Sequence, residues 1–272
     1  MKIVVSGLGI IGASLCASLK KAGYKVYGKN RSSEPLEYAL SHGMIDKAVQ
    51  TYDDADIVFL ALPPAVTVQE LEGGVFKKGA IVADICGVKS VLEEVVYAKP
   101  RNYRYVGTHP MAGKETSGIR SASATLFSGA NLIVTVCDQT DPAALAQIER
   151  LGKEMGFGHI ERCSARTHDE KIAITSQLAH IVANAYGKSE RAKDCAGFTG
   201  GSFQDMTRIA GVDEEMWSQL YLYNREPLLQ ETEGLISRLN EYRDALANGD
   251  GDKMRELLKE GRLAHEIYRK KK

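Results

Sequence analysis

Residues 7–12 of the chain read GLGIIG, and this stretch decides how the first half folds. Its members are Gly7, Leu8, Gly9, Ile10, Ile11 and Gly12. The stretch follows an apolar run at residues 2–6 and opens a helical pattern, which is the setting that the G-x-G-x-x-G spacing requires. Gly7 allows the tight turn, Gly9 lets a pyrophosphate approach the backbone, and Gly12 lets helix and strand pack closely. We therefore expect residues 7–12 to bind a dinucleotide at the N-terminus of the first helix.

The first half of the chain alternates short apolar runs with helical patterns. The runs are rich in Val and Ile, and they fall at residues 2–6, 25–28, 56–62, 80–85, 103–107 and 131–137. Such runs are typical of strands that are buried on both faces of a parallel sheet. Helical patterns between them include residues 11–22 and 35–42, and a third runs from an N-cap at Asp141 to about residue 155. The repeat predicts an open α/β sheet of the Rossmann type.

The second half of the chain has helical patterns and no strand pattern after about residue 160. Thr167 to Glu170 has capping-box spacing and opens a helix to about residue 186, which is apolar almost all round and is expected to be buried. Helical stretches follow at about 213–248 and 252–268, separated by the NGDG break at 248–251. We expect a dinucleotide-binding domain over residues 1–160 and an all-α domain over residues 161–272.

Composition excludes several classes of protein. The chain of 272 residues is long enough for about two domains, and its 35 Lys and Arg balance 35 Asp and Glu, which argues against a nucleic-acid binder. Its five cysteines are scattered without a CxxC pair, so neither a disulfide framework nor a zinc site is expected, and a reducing cytoplasm fits better. The N-terminus lacks a signal-peptide pattern, and no run of 18 apolar residues predicts a membrane span.

The end of the second strand bears on the choice between NAD and NADP. An NAD site usually has an acidic residue there to accept the ribose hydroxyls. Here Asn30 takes that position and is followed by Arg31 and Ser32, a combination that suits a 2′-phosphate. The residues therefore favour NADP, while NAD or dual use stays open. A solvated loop that merely precedes a helix is the alternative interpretation of these residues.

His109 is the candidate for chemistry. It stands in the run THPMAG at residues 108–113, directly after the strand expected to end near residue 107, and Pro110 is expected to stop that strand. Ligands of open α/β sheets bind at the carboxyl ends of the strands, and a His there can act as a general base near neutral pH. A histidine bonded within a turn is the alternative.

Several motifs occur in one order along the whole chain. They are GLGIIG at 7–12, HPMAG at 109–113 with Glu115, Ser117 and Gly118 behind it, HDE at 168–170, DMTRIA at 205–210, and Met216-Trp217. In this arrangement the chain resembles the prephenate dehydrogenase (or arogenate dehydrogenase) family of tyrosine biosynthesis. The resemblance implies an oxidative decarboxylation with hydride transfer to NAD(P), with His109 as the base that accepts the proton of the C4 hydroxyl.

The resemblance also implies where the substrate binds. Arg208 matches the family's arginine for the ring carboxylate, Ser176 and His180 match pocket residues, and the backbone of the segment 197–203, which contains Gly201, would lie against the substrate. From the residues alone, Arg208 would be a surface charge and His180 a satisfied core histidine. The family pairs through its helical half, so a homodimer is expected, and no added mutase or regulatory domain is expected between Met1 and Lys272.

Three positions depart from the family pattern. Gly87 replaces a Ser that would bond the catalytic His. Either Cys86, Ser90 or water takes that task, or the base is held less rigidly. Gln177 stands where another His is common, and Lys114 replaces a small polar residue. Lys89 either helps attract the anionic substrate or is solvated near a helix start.

Other functions remain open at this point. One is a 3-hydroxyacid dehydrogenase or imine reductase of the same two-domain build, for which Lys171 or Lys188 would be the catalytic candidate. Another is an NADP-sensing protein without enzymatic activity, an idea supported only by the loss of Ser at Gly87.

Overall fold

The computed structural model describes residues 1–113 and 116–270. Within these residues eight strands form one sheet in the order β3-β2-β1-β4-β5-β6-β7-β8. The strands are β1 (Ile3–Ser6), β2 (Val26–Lys29), β3 (Lys47–Ala48), β4 (Ile57–Leu60), β5 (Ile81–Asp84), β6 (Arg104–Met111), β7 (Asn131–Thr135) and β8 (His159–Cys163). The helices of the first half are α1 (Ile10–Lys21), α2 (Ser33–Ser41), α3 (Pro64–Gly73), α4 (Ser90–Tyr97) and α5 (Pro142–Glu154).

The sheet confirms the expected α/β class. Strands β1, β4 and β5 are buried at every position, because helices cover both faces of the sheet, as the uninterrupted apolar runs indicated. The helix α5 begins as expected, since the side chain of Asp141 accepts a hydrogen bond of 2.7 Å from the backbone N–H of Ala144.

The sheet also differs from the prediction in two ways. It is mixed rather than purely parallel, because β7 runs antiparallel to β6 and β8 runs parallel to β7. Two strands were not predicted. The strand β3 has only two residues, and β8 is an edge strand with the sequence HIERC, which lacks an apolar run because its side chains are exposed or half-buried.

The prediction that Pro110 ends its strand was wrong. The strand β6 continues to Met111, and residues from Thr108 onward pair with β7. Its parallel pairing with β5 ends at Gly107, opposite Asp84. Beyond that point β6 has a partner on one side only, so the missing N–H of Pro110 can be tolerated. His109 therefore lies inside β6, but past the carboxyl end of the parallel part of the sheet.

The first helix of the second half begins before the expected cap at Thr167, and the helices are more divided than expected. The helices of this half are α6 (Ala165–Ile172), α7 (Leu178–Gly187), α8 (Gly201–Thr207), α9 (Glu214–Tyr223), α10 (Arg225–Ala247) and α11 (Gly251–Lys270). The N-cap of α6 is Ser164, whose hydroxyl accepts from the N–H of Thr167, rather than Thr167 itself. One π-helical turn, Ala173–Gln177, separates α6 from α7. The expectation of a helix buried all round was wrong for the single chain, because Ile174 is exposed and Ile181 is only half-buried.

The chain divides into two compact units, residues 1–224 and the residues from 225 onward. The first unit contains the sheet and the helices α1–α9, and the second contains α10 and α11, which are joined by a hydrogen bond of 3.2 Å from the hydroxyl of Tyr242 to the carbonyl of Leu257. The functional boundary expected near residue 160 stays a prediction. Among the described residues no helix combines the length and apolar character that crossing a membrane demands.

Candidate active site

The glycine loop between β1 and α1 has the geometry that its spacing predicts. Gly7 has a φ of +94°, and a Cβ atom there would lie 2.1 Å from the carbonyl oxygen of Ala61. A Cβ on Gly12 would lie 1.9 Å from the carbonyl oxygen of Gly7, so neither position accepts a side chain. A Cβ on Gly9, in contrast, would have no atom within 4 Å, so open space lies beside the backbone at the start of α1. The loop therefore fits the pyrophosphate of a dinucleotide.

The side chain of Asn30 ties the end of β2 to this loop. Its Oδ1 atom accepts a hydrogen bond of 3.0 Å from the N–H of Leu8, and its Nδ2 atom donates to Ser32. The buried Leu8 is thus a structural member of the loop, while Ile10 and Ile11 are half-buried at the start of α1. Arg31 and Ser32 are exposed next to Asn30. A nicotinamide dinucleotide fits this set, with cationic and hydroxyl groups near the ribose position.

His109 is held by His168, which is held in turn by Asp169. Its Nδ1 atom lies 2.9 Å from Nε2 of His168, and Nδ1 of His168 lies 2.7 Å from Oδ1 of Asp169. His168 and Asp169 are buried, and His109 is half-buried. The three side chains therefore form a continuous hydrogen-bonded row that ends at His109.

The carboxylate of Asp169 also caps α4. Its Oδ1 atom accepts a hydrogen bond of 2.8 Å from the N–H of Lys89, and its Oδ2 atom accepts one of 2.8 Å from the N–H of Ser90. Burial acts to raise the pKa of Asp169, but hydrogen bonds from His168 and Ser90 outweigh it and leave that pKa below its usual range. The partial positive charge at the N-terminus of α4 also favours the ionised carboxylate. Asp169 is therefore ionised at neutral pH.

The two histidines are neutral at neutral pH. Burial holds the pKa of His109 well below its usual value of about 6.5, and His168 and the positive charge of Lys89 lower it further. Burial also lowers the pKa of His168, more than the carboxylate of Asp169 raises it. A neutral His109 is the form that can accept a proton.

Lys89 is neither solvated nor directed at a ligand. Its side chain is wholly buried and forms an ion pair with Asp84, whose other oxygen accepts a hydrogen bond of 2.6 Å from the hydroxyl of Tyr105. A buried lysine needs such a partner because an isolated charge is costly away from water. The interpretation of Lys89 as a solvated side chain near a helix start is therefore wrong. Its buried positive charge instead lowers the pKa of His109.

Gly87 lies beside the Nε2 atom of His109. A Cβ atom on Gly87 would stand 3.9 Å from Nε2 of His109 and 3.4 Å from Cδ2 of Leu220. Ser90, one of the residues considered as a substitute for the family's Ser, makes its hydrogen bonds with Asp169 instead. Cys86 is the second residue considered as a substitute. Burial raises the pKa of its thiol to about 11, so the thiol is neutral.

In the helical half, His180 supports the segment that follows Arg208. Its Nδ1–H donates to the carbonyl of Ile209 over 2.8 Å, and its ring centroid lies 4.0 Å from that of Trp217. Arg208 directly follows α8 and is exposed, and Gly201, the first residue of α8, is exposed as well. Ser176 lies half-buried in the π-helical turn. Because the spacing of a π-helical turn differs from that of an α-helix, the separation of four residues between Ser176 and His180 does not by itself place both side chains on one face.

The helix α9 contacts both Gly87, which lies beside His109, and His180 of the helical half. Its Leu220 faces Gly87, and its Trp217 stacks on His180. The buried Gln177 donates to the carbonyl of Leu220 over 3.2 Å and accepts from the side chain of Asn224 over 2.7 Å. Gln177 thus anchors α9.

Sequence reasoning missed the partners of His109. The HDE run at 168–170 was noted only as a capping box and a family motif, although a His-Asp pair at the start of a buried helix could have indicated a partner for a catalytic His. Lys171 and Lys188, the candidates for a different reductase, are both exposed. The expectations for Lys114 and Glu115 lie outside the described residues.

Comparisons with known proteins agree with these observations. Residues 15–161 match the family model for the prephenate dehydrogenase nucleotide-binding domain, and residues 164–260 match the model for the prephenate dehydrogenase dimerization domain. The chain is 30% identical to a cyclohexadienyl dehydrogenase of Zymomonas mobilis, over 96% of this chain and 94% of that protein.

Two solved structures have the same fold over nearly their whole length. One is prephenate dehydrogenase from A. aeolicus in complex with hydroxyphenyl propionate and NAD+, with a TM-score of 0.86, 28% identity and coverage of 98% of each chain. The other is Synechocystis arogenate dehydrogenase, with a TM-score of 0.80, 27% identity and coverage of 98% of this chain and 100% of that one. Together with the two domain matches, these similarities show that the chain belongs to the prephenate dehydrogenase family.

Proposed function

We propose that this protein is a prephenate dehydrogenase, which converts prephenate to 4-hydroxyphenylpyruvate and CO2 in tyrosine biosynthesis and favours NADP as its cofactor. The observation that carries the proposal is the neutral His109, whose Nδ1 atom is hydrogen-bonded to His168 past the carboxyl end of the parallel strands. That edge of an open α/β sheet is where ligands bind. Family membership supplies the class of reaction.

The chain's own part in the reaction is to bind, to orient and to move a proton. Nε2 of His109 accepts the proton of the C4 hydroxyl as the carbonyl forms there. The C1 carboxylate then leaves as CO2, and the bonding electrons complete the aromatic ring. The new phenolate oxygen takes the proton back from His109, which restores the neutral imidazole. Aromatisation provides the driving force, so positioning is the main task of the protein.

The bound nicotinamide dinucleotide would accept the hydride from C4 of the substrate. The residues that would hold the dinucleotide are those of the glycine loop (Gly7, Leu8, Gly9, Ile10, Ile11 and Gly12) and those at the end of β2 (Asn30, Arg31 and Ser32). The preference for NADP rests on the absence of a carboxylate at Asn30 and on the exposed guanidinium of Arg31.

Substrate orientation falls to the helical half. The guanidinium of Arg208 would hold the ring carboxylate through two parallel hydrogen bonds. His180 would serve the pocket with its Nε2 atom, because its Nδ1–H is engaged with the carbonyl of Ile209. Ser176 and the backbone at Gly201 would complete this side of the site.

The proposal includes a homodimer formed through the helical half. Six apolar side chains of α10 and α11 are 53–71% exposed in the single chain, namely Leu229, Ile236, Leu239, Leu246, Leu258 and Ile267. An exposed apolar surface of this kind marks an interaction site, and residues 164–260 match a dimerization domain. Sedimentation velocity at micromolar concentration should give a dimer, and a monomer would refute this part. The expected cytoplasmic location stays a prediction.

Arogenate dehydrogenase is the second candidate, because the Synechocystis arogenate dehydrogenase has the same fold over 98% of this chain. Arogenate differs from prephenate by an amino group on the side chain, so the two substrates separate the candidates directly. The test measures reduction of NAD and of NADP with each substrate in four parallel assays. We expect the highest kcat/KM with prephenate and NADP. Reduction with neither substrate would reject the proposed function.

A further inference from the structure

We propose that His168 and Asp169 are positioning residues that fix the tautomer of His109, so that its Nε2 atom is the bare nitrogen that faces the substrate. The inference rests on the proposed function for the part played by His109 as a base. The tautomer itself is a property of the protein without substrate and can be measured separately.

Asp169 forms the buried end of the row. The ionised carboxylate of Asp169 can only accept hydrogen bonds, so the contact of 2.7 Å requires a proton on Nδ1 of His168. Because the hydrogen bonds from the N–H groups of Lys89 and Ser90 also go to this carboxylate, it is fixed in place as well as charged. The position of the first proton in the row is therefore determined.

The state of His168 then determines that of His109. A neutral His168 that carries its proton on Nδ1 has a bare Nε2 atom, which can only accept. The contact of 2.9 Å to His109 is therefore a hydrogen bond that Nδ1–H of His109 donates. A neutral His109 with its proton on Nδ1 has a bare Nε2 atom, and this is the atom that stands 3.9 Å from the Cβ position of Gly87.

The row also matters after proton transfer. When Nε2 of His109 takes the substrate's proton, the ring becomes cationic, and its bond to His168 becomes a charge-assisted hydrogen bond. The negative charge of Asp169 lies at the other side of His168 and favours that cation. Gly87 stands where the family pattern has a Ser that would bond the catalytic His, so we infer that in this chain the orientation of His109 depends on the Nδ1 side.

The test uses the full-length protein and three variants. His168→Leu removes the acceptor for Nδ1–H of His109 while keeping an apolar side chain in the buried position. His168→Gln retains an amide oxygen that can accept the same hydrogen bond. His159→Gln is the matched control, because His159 is an exposed histidine on β8 that contacts Glu161. Asp169 is left unchanged, since its carboxylate also caps α4.

The first readout is the ¹⁵N NMR spectrum of the histidine ring nitrogens, recorded without substrate. In the wild type, Nδ1 of His109 should be protonated and Nε2 bare, and in His168→Leu this preference should be lost. A wild-type His109 that carries its proton on Nε2 would overturn the proposal. Binding of NADP by calorimetry checks that each variant is folded.

The second readout is the kinetic split between kcat and KM. We expect His168→Leu to lower kcat by about 10- to 100-fold with a much smaller change in KM, as is typical for loss of a residue that orients a reactive group. His168→Gln should recover part of that loss, and His159→Gln should match the wild type. A wild-type kcat in His168→Leu would refute the positioning role, whereas a wild-type protein inactive with both substrates would refute the proposed function instead.

Discussion

A Cβ atom on Gly87 would lie 3.9 Å from Nε2 of His109, within ordinary van der Waals contact. The backbone of Gly87 is not in the left-handed region, so a side chain fits there without strain. This chain therefore has room beside its proposed base where the family pattern has a hydroxyl.

The first prediction concerns Gly87→Ser. The new hydroxyl can hydrogen-bond the substrate beside Nε2 of His109, and one such bond contributes about 0.5–1.5 kcal/mol, so kcat/KM should rise by about 2- to 10-fold. Steady-state kinetics with prephenate measure the effect. Gly87→Ala adds the same Cβ without the hydroxyl and is the control; equal kcat/KM for the Ser and Ala variants would contradict the prediction.

The second prediction concerns cofactor choice. Arg31→Ala removes the cation proposed to bind the 2′-phosphate, and charge-assisted hydrogen bonds contribute about 1.5–3 kcal/mol, so kcat/KM for NADP should fall by about 10- to 100-fold. The value for NAD should change little, because NAD has no 2′-phosphate. Arg150→Ala, which removes an exposed arginine of α5, should leave both values unchanged. A parallel loss with both cofactors in Arg31→Ala would reject the assignment.

The third prediction separates binding from chemistry at Arg208. The guanidinium should bind the ring carboxylate in the ground state and release it as CO2 departs. Arg208→Ala should therefore raise KM for prephenate by about 10- to 100-fold and lower kcat much less. Arg208→Lys keeps the charge without the paired donors and should fall between the two. If KM stays at the wild-type value in Arg208→Ala, the residue does not hold the substrate.

The fourth prediction is the pH dependence of kcat/KM. Burial, His168 and Lys89 lower the pKa of His109 well below its usual value of about 6.5. The base must be unprotonated to act, so a lowered pKa extends activity toward acid. The acid limb of kcat/KM, which reports the free enzyme, should have its midpoint below pH 6.5. A midpoint at or above that pH would show that burial, His168 and Lys89 do not keep His109 neutral.

Much of the fold was predictable because its determinants are local. The glycine loop, the apolar strands and the N-cap Asp141 each depend on a few adjacent residues. The edge strand β8 was not predictable from apolar runs, because its HIERC sequence is polar. The end of α9 at Asn224 was missed for another reason. That buried side chain bonds the carbonyl of Asp169 and the amide of Gln177, and both partners are far away in sequence.

In the candidate site, too, some features depend on adjacent residues and others on residues that are distant in sequence. His109 could be singled out from the strand before it and the motif around it. Its hydrogen bond to His168 joins residues that are 59 positions apart, so no local pattern indicates it. The burial of Lys89 against Asp84 likewise depends on the assembled core, which a run of sequence around position 89 does not reveal.

The most direct test of the central claim is kcat for His109→Asn with prephenate and NADP. Asn keeps a polar side chain of similar reach but cannot accept the substrate's proton as a base. General-base catalysis typically contributes about 10²–10⁴ in rate, so kcat should fall by that factor while NADP binding is retained. A variant that keeps the wild-type kcat would contradict the account.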